Sequence, residues 1–301
     1  MPKVVGVRGG LSLDHLVTVG AGARFDELGG PGLFGALGAR LVAGATAALC
    51  TNLPADDGRF ARLFGEVGVD LSSSETTPSV PRVWILNAPE GRRIVETASV
   101  SSVELEGGEP REGGSEAAAV ALPAPVAFYD RVDALLESSP TERPPVRRPI
   151  PVGLDPHQLP LSVEGITYLE RVSPTGAVIL PSRVQLRLLN KDPRAAAREM
   201  SAALGLPVIA RLDSEGMYVV APSGVWSVRD AAVRVVETTG AGDSSAAAIV
   251  AALAVGADLV TAAQFGVSVA RLALSDWGHA GLLASDPLTA PLNTIESNQE
   301  L

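Results

Sequence analysis

Apolar runs of three or four residues at 178–180, 208–211, 218–220 and 233–236 alternate with Ala-rich stretches at 195–204, 244–253 and 261–274. Short runs of this kind suit strands covered on both faces, and the longer stretches suit the helices that cover them. Alternation of the two predicts an α/β fold, a mostly parallel central sheet with helices on both faces. The 301 residues are enough for one large domain or two small ones, and we read residues 1–301 as one. With aromatics at only 4%, the core must be built mostly from Ala, Val and Leu.

The first half carries the same signals less regularly. Residues 3–7 and 11–19 read as strand, turn, strand, and Gly29-Gly30-Pro31 then punctuates the chain. A small-residue helix is expected over 33–41, a buried strand over 42–51, and a helix over 56–66 closed by Gly68. Residues 83–86 and 94–97 resemble two strands joined by the turn chemistry of 87–91. The acidic, Gly-rich stretch 104–114 reads as an exposed loop, and the polar end 297–301 as frayed. The Pro-rich stretch 140–151 reads as a connection within one domain, because strand-like runs at 117–122 and 152–154 flank it.

Charge narrows the function. A formal net charge of −10 and a pI near 4.9 argue against nucleic-acid and anionic-membrane partners, which need a basic face. They do not exclude a phosphate site built from backbone amides. The single cysteine, Cys50, excludes an intramolecular disulfide framework, and His15, His157 and His279 are too few for a histidine-rich metal site. Residues 1–9 lack the layout of a secretory signal, and the apolar stretch 246–257 falls short of the roughly 20 residues of a membrane span. A cytoplasmic protein is expected.

The segment Val235-Val236-Glu237-Thr238-Thr239-Gly240-Ala241-Gly242-Asp243 leads directly into Ala-rich helix. A strand is expected to enter it. Gly240 and Gly242, without Cβ atoms, let a ligand approach the backbone, and first-turn amides can point at an oxyanion. Asp243 in that turn is placed to accept the proton of a hydroxyl attacking phosphorus. The same residues would equally serve as an ordinary helix cap.

Glu237-Thr-Thr-Gly-Ala-Gly-Asp243 resembles the signature of the PfkB (ribokinase-like) family of carbohydrate and nucleoside kinases. Leu11-Ser12-Leu13-Asp14 resembles the family's substrate-binding first-strand segment, and Gly29-Gly30 its N-terminal di-glycine signature. Leu154-Asp155-Pro156 and Arg211-Leu212-Asp213-Ser214-Glu215-Gly216 fall in the family's order as well. The resemblance implies a three-layer ribokinase-like fold with a small, reduced β lid drawn from about 11–28 and 79–100. It implies transfer of the γ-phosphoryl of ATP to a hydroxymethyl of a sugar or nucleoside. Asp243 would be the base, with Gly240, Ala241 and Gly242 lining the anion hole. Ser12, Asp14, Gly29, Gly30 and Phe34 would grip the acceptor, and Arg211, Asp213, Gly216, Thr239 and Gly242 the nucleotide. Mg2+ would arrive with the ATP, with no protein ligand set of its own. Lid strands often pair between subunits in this family, which leaves a homodimer open.

The sequence departs from the family pattern at several of these positions. Phe34 stands where Asn is usual, which adds an apolar wall. Ser182-Arg183-Val184-Gln185 stands for Asn-x-x-Glu, which removes a charge that would orient magnesium. Glu237, Ser245 and Asp213 replace the usual Asp, Phe and Gly. Together they leave open a catalytically silent relative that binds a metabolite. A dinucleotide fingerprint, Gly30-Pro31-Gly32-Leu33-Phe34-Gly35, must follow a strand, and residues 24–28 do not read as one, so a dehydrogenase reading is set aside.

Overall fold

The computed structural model describes residues 1–88, 91–96 and 124–300, with backbone alone for 91–96. The expected loop at 104–114 and strand at 117–122 lie outside the described residues. In chain order the strands begin with β1 (Lys3–Arg8), β2 (Ser12–Thr18), β3 (Gly22–Gly29), β4 (Ala45–Cys50), β5 (Asn52–Pro54) and β6 (Glu75–Thr77). Next come β7 (Arg82–Ala88), β8 (Gly91–Glu96), β9 (Ala134–Ser138), β10 (Val152–Asp155) and β11 (Val178–Ile179). The last are β12 (Val208–Arg211), β13 (Met217–Ala221), β14 (Gly224–Asp230) and β15 (Ile295–Glu300). The helices are α1 (Pro31–Arg40), α2 (Arg59–Glu66), α3 (Val126–Arg131), α4 (Gln158–Glu164) and α5 (Ile166–Val172). After them follow α6 (Arg183–Arg187), α7 (Pro193–Leu204), α8 (Ala241–Ala254), α9 (Leu259–Leu274) and α10 (Ala280–Leu283).

A nine-stranded sheet runs β15-β14-β13-β12-β11-β10-β9-β1-β4. The pairs from β12 to β4 are parallel, and the β12–β13, β13–β14 and β14–β15 pairs are antiparallel. One face is covered by α1, α8 and α9, through residues such as Leu33, Leu37, Ile249, Val250 and Val269. The other is covered by α3, α5 and α7, through Phe128, Tyr168, Leu169 and Met200. This is the expected three-layer arrangement. Small residues let α1 and α8 approach closely: a Cβ on Gly38 would lie 2.2 Å from the Ser244 carbonyl oxygen. The Pro-rich stretch 140–151 joins β9 to β10, which are neighbours in the sheet.

The second sheet, β3-β2-β7-β8, forms the lid. The strands β7 and β8 pair antiparallel, with Ala88 opposite Gly91; residues 89 and 90 of the expected turn lie outside the described residues. On the inner face Leu16, Val83 and Ile85 are buried against Trp277. On the outer face His15 lies against Phe25 and Trp84, at 5.8 and 4.7 Å between ring centroids.

Three local expectations are corrected. Residues 24–28 do form a strand, β3, which pairs with β2 in the lid. The glycine fingerprint therefore does follow a strand. That strand belongs to an antiparallel lid pair, however, and not to the parallel βαβ unit a dinucleotide site needs. Residues 233–236 are not a strand; Val233 and Val235 are 43% and 54% exposed, too open for a sheet interior. The polar end is not frayed, because β15 pairs with β14 along its whole length.

Candidate active site

The carboxyl ends of β1, β9, β10 and β12 lie along one edge of the main sheet, where open α/β sheets place their ligands. The signature turn faces this edge from the start of α8. Its shape is held by Glu237, which is 2% exposed. Oε1 of Glu237 accepts from the Thr239 amide at 2.8 Å, the Thr239 hydroxyl at 2.7 Å and Asn87 Nδ2 at 3.1 Å. Oε2 accepts from the Gly278 amide at 3.4 Å. One buried carboxylate thus ties the turn to the lid strand β7 and to the loop after α9. Thr239, expected among the nucleotide contacts, is buried with its hydroxyl turned inward to Glu237. The exposed hydroxyl of the turn is that of Thr238.

Gly240 caps α8 with φ +76°, and a Cβ there would sit 2.0 Å from the Phe34 ring. Glycine is required on both counts. Phe34, expected to wall the acceptor, is 1% exposed and fills the space beneath Gly240. That expectation is corrected: the ring offers no face to a ligand because the turn is packed on it. Of the three amides expected to line the anion hole, that of Ala241 is directed at the Thr238 carbonyl at 3.4 Å. Asp243 is half-buried in the first turn of α8, next to exposed Gly242. Ser245 donates to the Gly242 carbonyl at 2.8 Å.

Arg211, at the end of β12, reaches this turn. A Cβ on Gly242 would lie 3.2 Å from Arg211 Nη1. Nη2 pairs with Asp155 Oδ1 at 2.7 Å and donates to the Leu180 carbonyl at 2.7 Å. Asp155 also accepts from Gln185 Nε2 at 3.1 Å. Ser182 and Gln185 form a capping box on α6, the Ser182 amide donating to Gln185 Oε1 at 2.6 Å. The polar groups of the altered Asn-x-x-Glu segment are therefore spent on structure. Between them Arg183 clamps the neighbouring loop: Nε lies 3.0 Å from Asp213 Oδ2, and Nη2 donates to Glu215 and to the Leu212 carbonyl. Asp213 holds φ +51°, the left-handed region in which Gly is usual and Asp is tolerated. Gly216 closes the loop at φ +80°, where a Cβ would meet the Val228 carbonyl at 2.2 Å.

Among the described residues no three His, Cys, Asp or Glu side chains come together to hold a cation. Asp155 is already occupied by Arg211 and Gln185. The described residues thus offer no ready-made cage for magnesium, an ion usually held by nucleotide phosphates and water with one or two carboxylates.

On the lid side the Asp14 carboxylate is buried over Gly29, where a Cβ would lie 1.9 Å from Oδ2, and it accepts from the Ser12 hydroxyl at 2.6 Å. Gly30 caps α1 at φ +94°, and a Cβ there would meet the Gly10 carbonyl at 2.7 Å. Gly30 and Phe34 are one helical turn apart, about 6 Å along α1. Gly30, just after β3 and beside the Ser12–Asp14 pair, is thus linked through one turn of α1 to Phe34, on which the Gly240 turn rests.

Other residues singled out in the sequence have structural tasks. Glu137 is fully buried in an ion pair with Arg8, and burial raises its pKa against the opposing pull of that guanidinium. Burial pushes the nearby Cys50 thiol up to about 11. His157 caps α4 by accepting from the Leu159 amide at 3.2 Å. Trp277 packs under the lid. The sequence offers Asn87 as a turn residue, Arg183 as a spacer and Asp155 as part of the Asp-Pro in the family's order; none of them is expected in the site, and the structure places all three in its framework.

Residues 171–283 match the family model described as pfkB family carbohydrate kinase. An uncharacterized sugar kinase of Archaeoglobus fulgidus is 27% identical over 128 residues, 42% of this chain. The match spans about half the length of that relative, 51%. Among solved structures, ribokinase from Thermotoga maritima superposes with a TM-score of 0.63 at 18% identity, covering 94% of this chain and 99% of that one. Fructokinase from Vibrio cholerae O395, solved with fructose, ADP and calcium, gives 0.66 at 16% identity over 94% and 98% of the two chains. A nucleoside kinase from Burkholderia thailandensis, solved with inosine, gives 0.65 at 14% identity over 96% and 95%. No described helix is long and apolar enough to cross a membrane. Residues 171–283, which carry Arg211, the Glu237–Asp243 turn and the two helices that follow, are thus similar to pfkB family carbohydrate kinases, in a chain whose fold is ribokinase-like.

Proposed function

We propose that this chain is an ATP-dependent kinase that phosphorylates a hydroxymethyl group of a sugar or nucleoside. The observation that carries the reading is the shared turn: Asp243 stands in the same first helical turn as Gly242, against which the Arg211 guanidinium is set. Asp243 accepts the proton of the acceptor hydroxyl as its oxygen bonds to the γ-phosphorus. The bond from that phosphorus to the β–γ bridging oxygen breaks, and ADP leaves. The Gly242 amide and the α8 dipole stabilise charge on the transferred group. Asp14, oriented by Ser12 and seated over Gly29, holds acceptor hydroxyls. The loop from Arg211 to Gly216, clamped by Arg183, flanks the nucleotide.

One observation favours a second reading, a silent metabolite-binding relative. Ser182, Gln185 and Asp155 are consumed by internal bonds, and Phe34 by packing. ADP formation across a panel of sugars and nucleosides separates the two. Asp243→Asn should slow turnover by about 10²–10⁴-fold with acceptor binding retained, whereas Asp14→Asn should weaken acceptor binding first. An acceptor that binds tightly yet supports no turnover establishes the silent reading.

A further inference from the structure

Arg211 is a fixed positive charge set into the phosphate turn. Its residue is 8% exposed, and its Nε has no hydrogen-bond partner. Nη2 is taken by Asp155 and the Leu180 carbonyl. Nη1 lies against the first turn of α8: it is the nearest atom a Cβ on Gly242 would meet, at 3.2 Å, so only a residue without a side chain lets the guanidinium sit this close to the turn. A buried cation interacts with an anion more strongly than one in water, because little solvent screens the pair. The same burial disfavours a second cation beside it, and Asp155, the acid that pairs with Arg211, has no charge to spare for one.

We propose that the phosphate subsite carries its own cation, Arg211, which binds the terminal phosphate of a nucleoside diphosphate or triphosphate directly. Nucleotide binding then does not need a divalent ion. This rests on the kinase reading above and adds to it how charge is neutralised.

Isothermal titration of the full chain with ADP and AMP, in EDTA and in excess Mg2+, tests it. Charge-assisted hydrogen bonds predict that ADP binds in EDTA within about tenfold of its affinity in Mg2+, and at least about tenfold tighter than AMP. Arg211→Gln should weaken ADP binding in EDTA by roughly 10- to 100-fold and leave AMP binding within about threefold. Should Arg211→Gln fail to fold because Asp155 is left unpaired, Arg211→Gln with Asp155→Asn removes both charges and takes its place. The two EDTA titrations of the unaltered protein need no variant. ADP binding that collapses more than about tenfold without Mg2+, or a variant that loses ADP and AMP alike, overturns the proposal. Absence of binding of either nucleotide under both conditions overturns the kinase reading as well, so the two failures are distinguishable.

Discussion

Around Gly240 the backbone itself is fixed, whereas around Asp14 a side chain is held in place by its neighbours. The Glu237–Asp243 turn has a left-handed glycine on a fully buried ring and a buried carboxylate gathering four donors. The lid side has a carboxylate, Asp14, that accepts from the Ser12 hydroxyl, beneath a lid whose own core is Leu16, Val83 and Ile85 with Trp277. Similarity to known kinases divides the same way: the family match, 171–283, contains the turn and neither pair of lid strands. Under the proposed kinase reading this division has a reason: a phosphate presents the same oxygens whatever receives it, so backbone amides at one fixed geometry suffice, whereas acceptors differ in shape, and side chains on a thin sheet can be exchanged without disturbing the main fold.

The strongest break in this contrast comes at Phe34. Truncation to Ala should cost about 3–5 kcal/mol, read from urea unfolding, because the ring is buried and leaves a cavity beneath the turn. Gly240→Ala should also be destabilising, through its positive φ and its contact with the same ring. Combined with Phe34→Ala it should cost less than the sum, since the ring is no longer in the way. Strict additivity of the two would show that the turn does not rest on Phe34.

Glu237→Ala ranks next, at about 1–3 kcal/mol, because buried donors of Thr239 lose their acceptor. It also releases Asn87, so protection of β7 amides against hydrogen exchange should fall together with that of the turn. If the lid amides keep their protection, the two regions are uncoupled. Ser12→Ala should cost only about 0.5–1.5 kcal/mol, the worth of one hydrogen bond. Its signature is selective: acceptor affinity falls while ADP affinity holds, and loss of both would contradict the division of labour.

The two regions were also unequally legible in the sequence. The turn was recognisable because its glycines and Asp243 have few alternative uses at that spacing, and α7, α8 and α9 fall where the Ala-rich stretches placed them. The lid strand β3 was not, because its run Arg24-Phe25-Asp26-Glu27 is charged and largely exposed, without the alternation of a half-buried strand. For the same reason β15, Ile-Glu-Ser-Asn-Gln-Glu, was invisible: an edge strand can be polar on both faces. Residues 233–236 misled in the opposite direction, since valines at the surface carry the same pattern as valines in a sheet. The sequence offers Phe34 as a ligand contact because it stands where the family it resembles usually has Asn. Only the structure shows it turned toward α8, and only the structure shows that Asn87 and Arg183 reach across to other elements.

The smallest expected effect sharpens the contrast through pH. Burial lowers the pKa of His279, against the opposing charge of Glu27 on β3, and burial also lowers that of His157 at the end of β10. Folding therefore favours the neutral rings. As pH falls through the ordinary histidine range near 6.5, the unfolded chain takes up protons that the folded chain refuses. Stability present in full above that range is lost progressively below it. For His157 protonation also removes the Nδ1 acceptor that caps α4. The carboxylates held low by arginine, amide or hydroxyl partners, Asp57, Asp70, Asp258 and Glu215, lose their contribution only at more acidic pH, outside this window. Melting temperatures should thus drop between pH 7.5 and 5.5. His157→Asn, which keeps a capping acceptor without a titrating ring, should remove part of the drop. His279→Gln should remove the rest, and in hydrogen exchange its effect should be confined to β3 and the loop at Gly278, because His279 is the only one of the two that faces the lid. A drop unchanged in both variants would place the titrating groups elsewhere and leave the lid no more pH-sensitive than the phosphate turn.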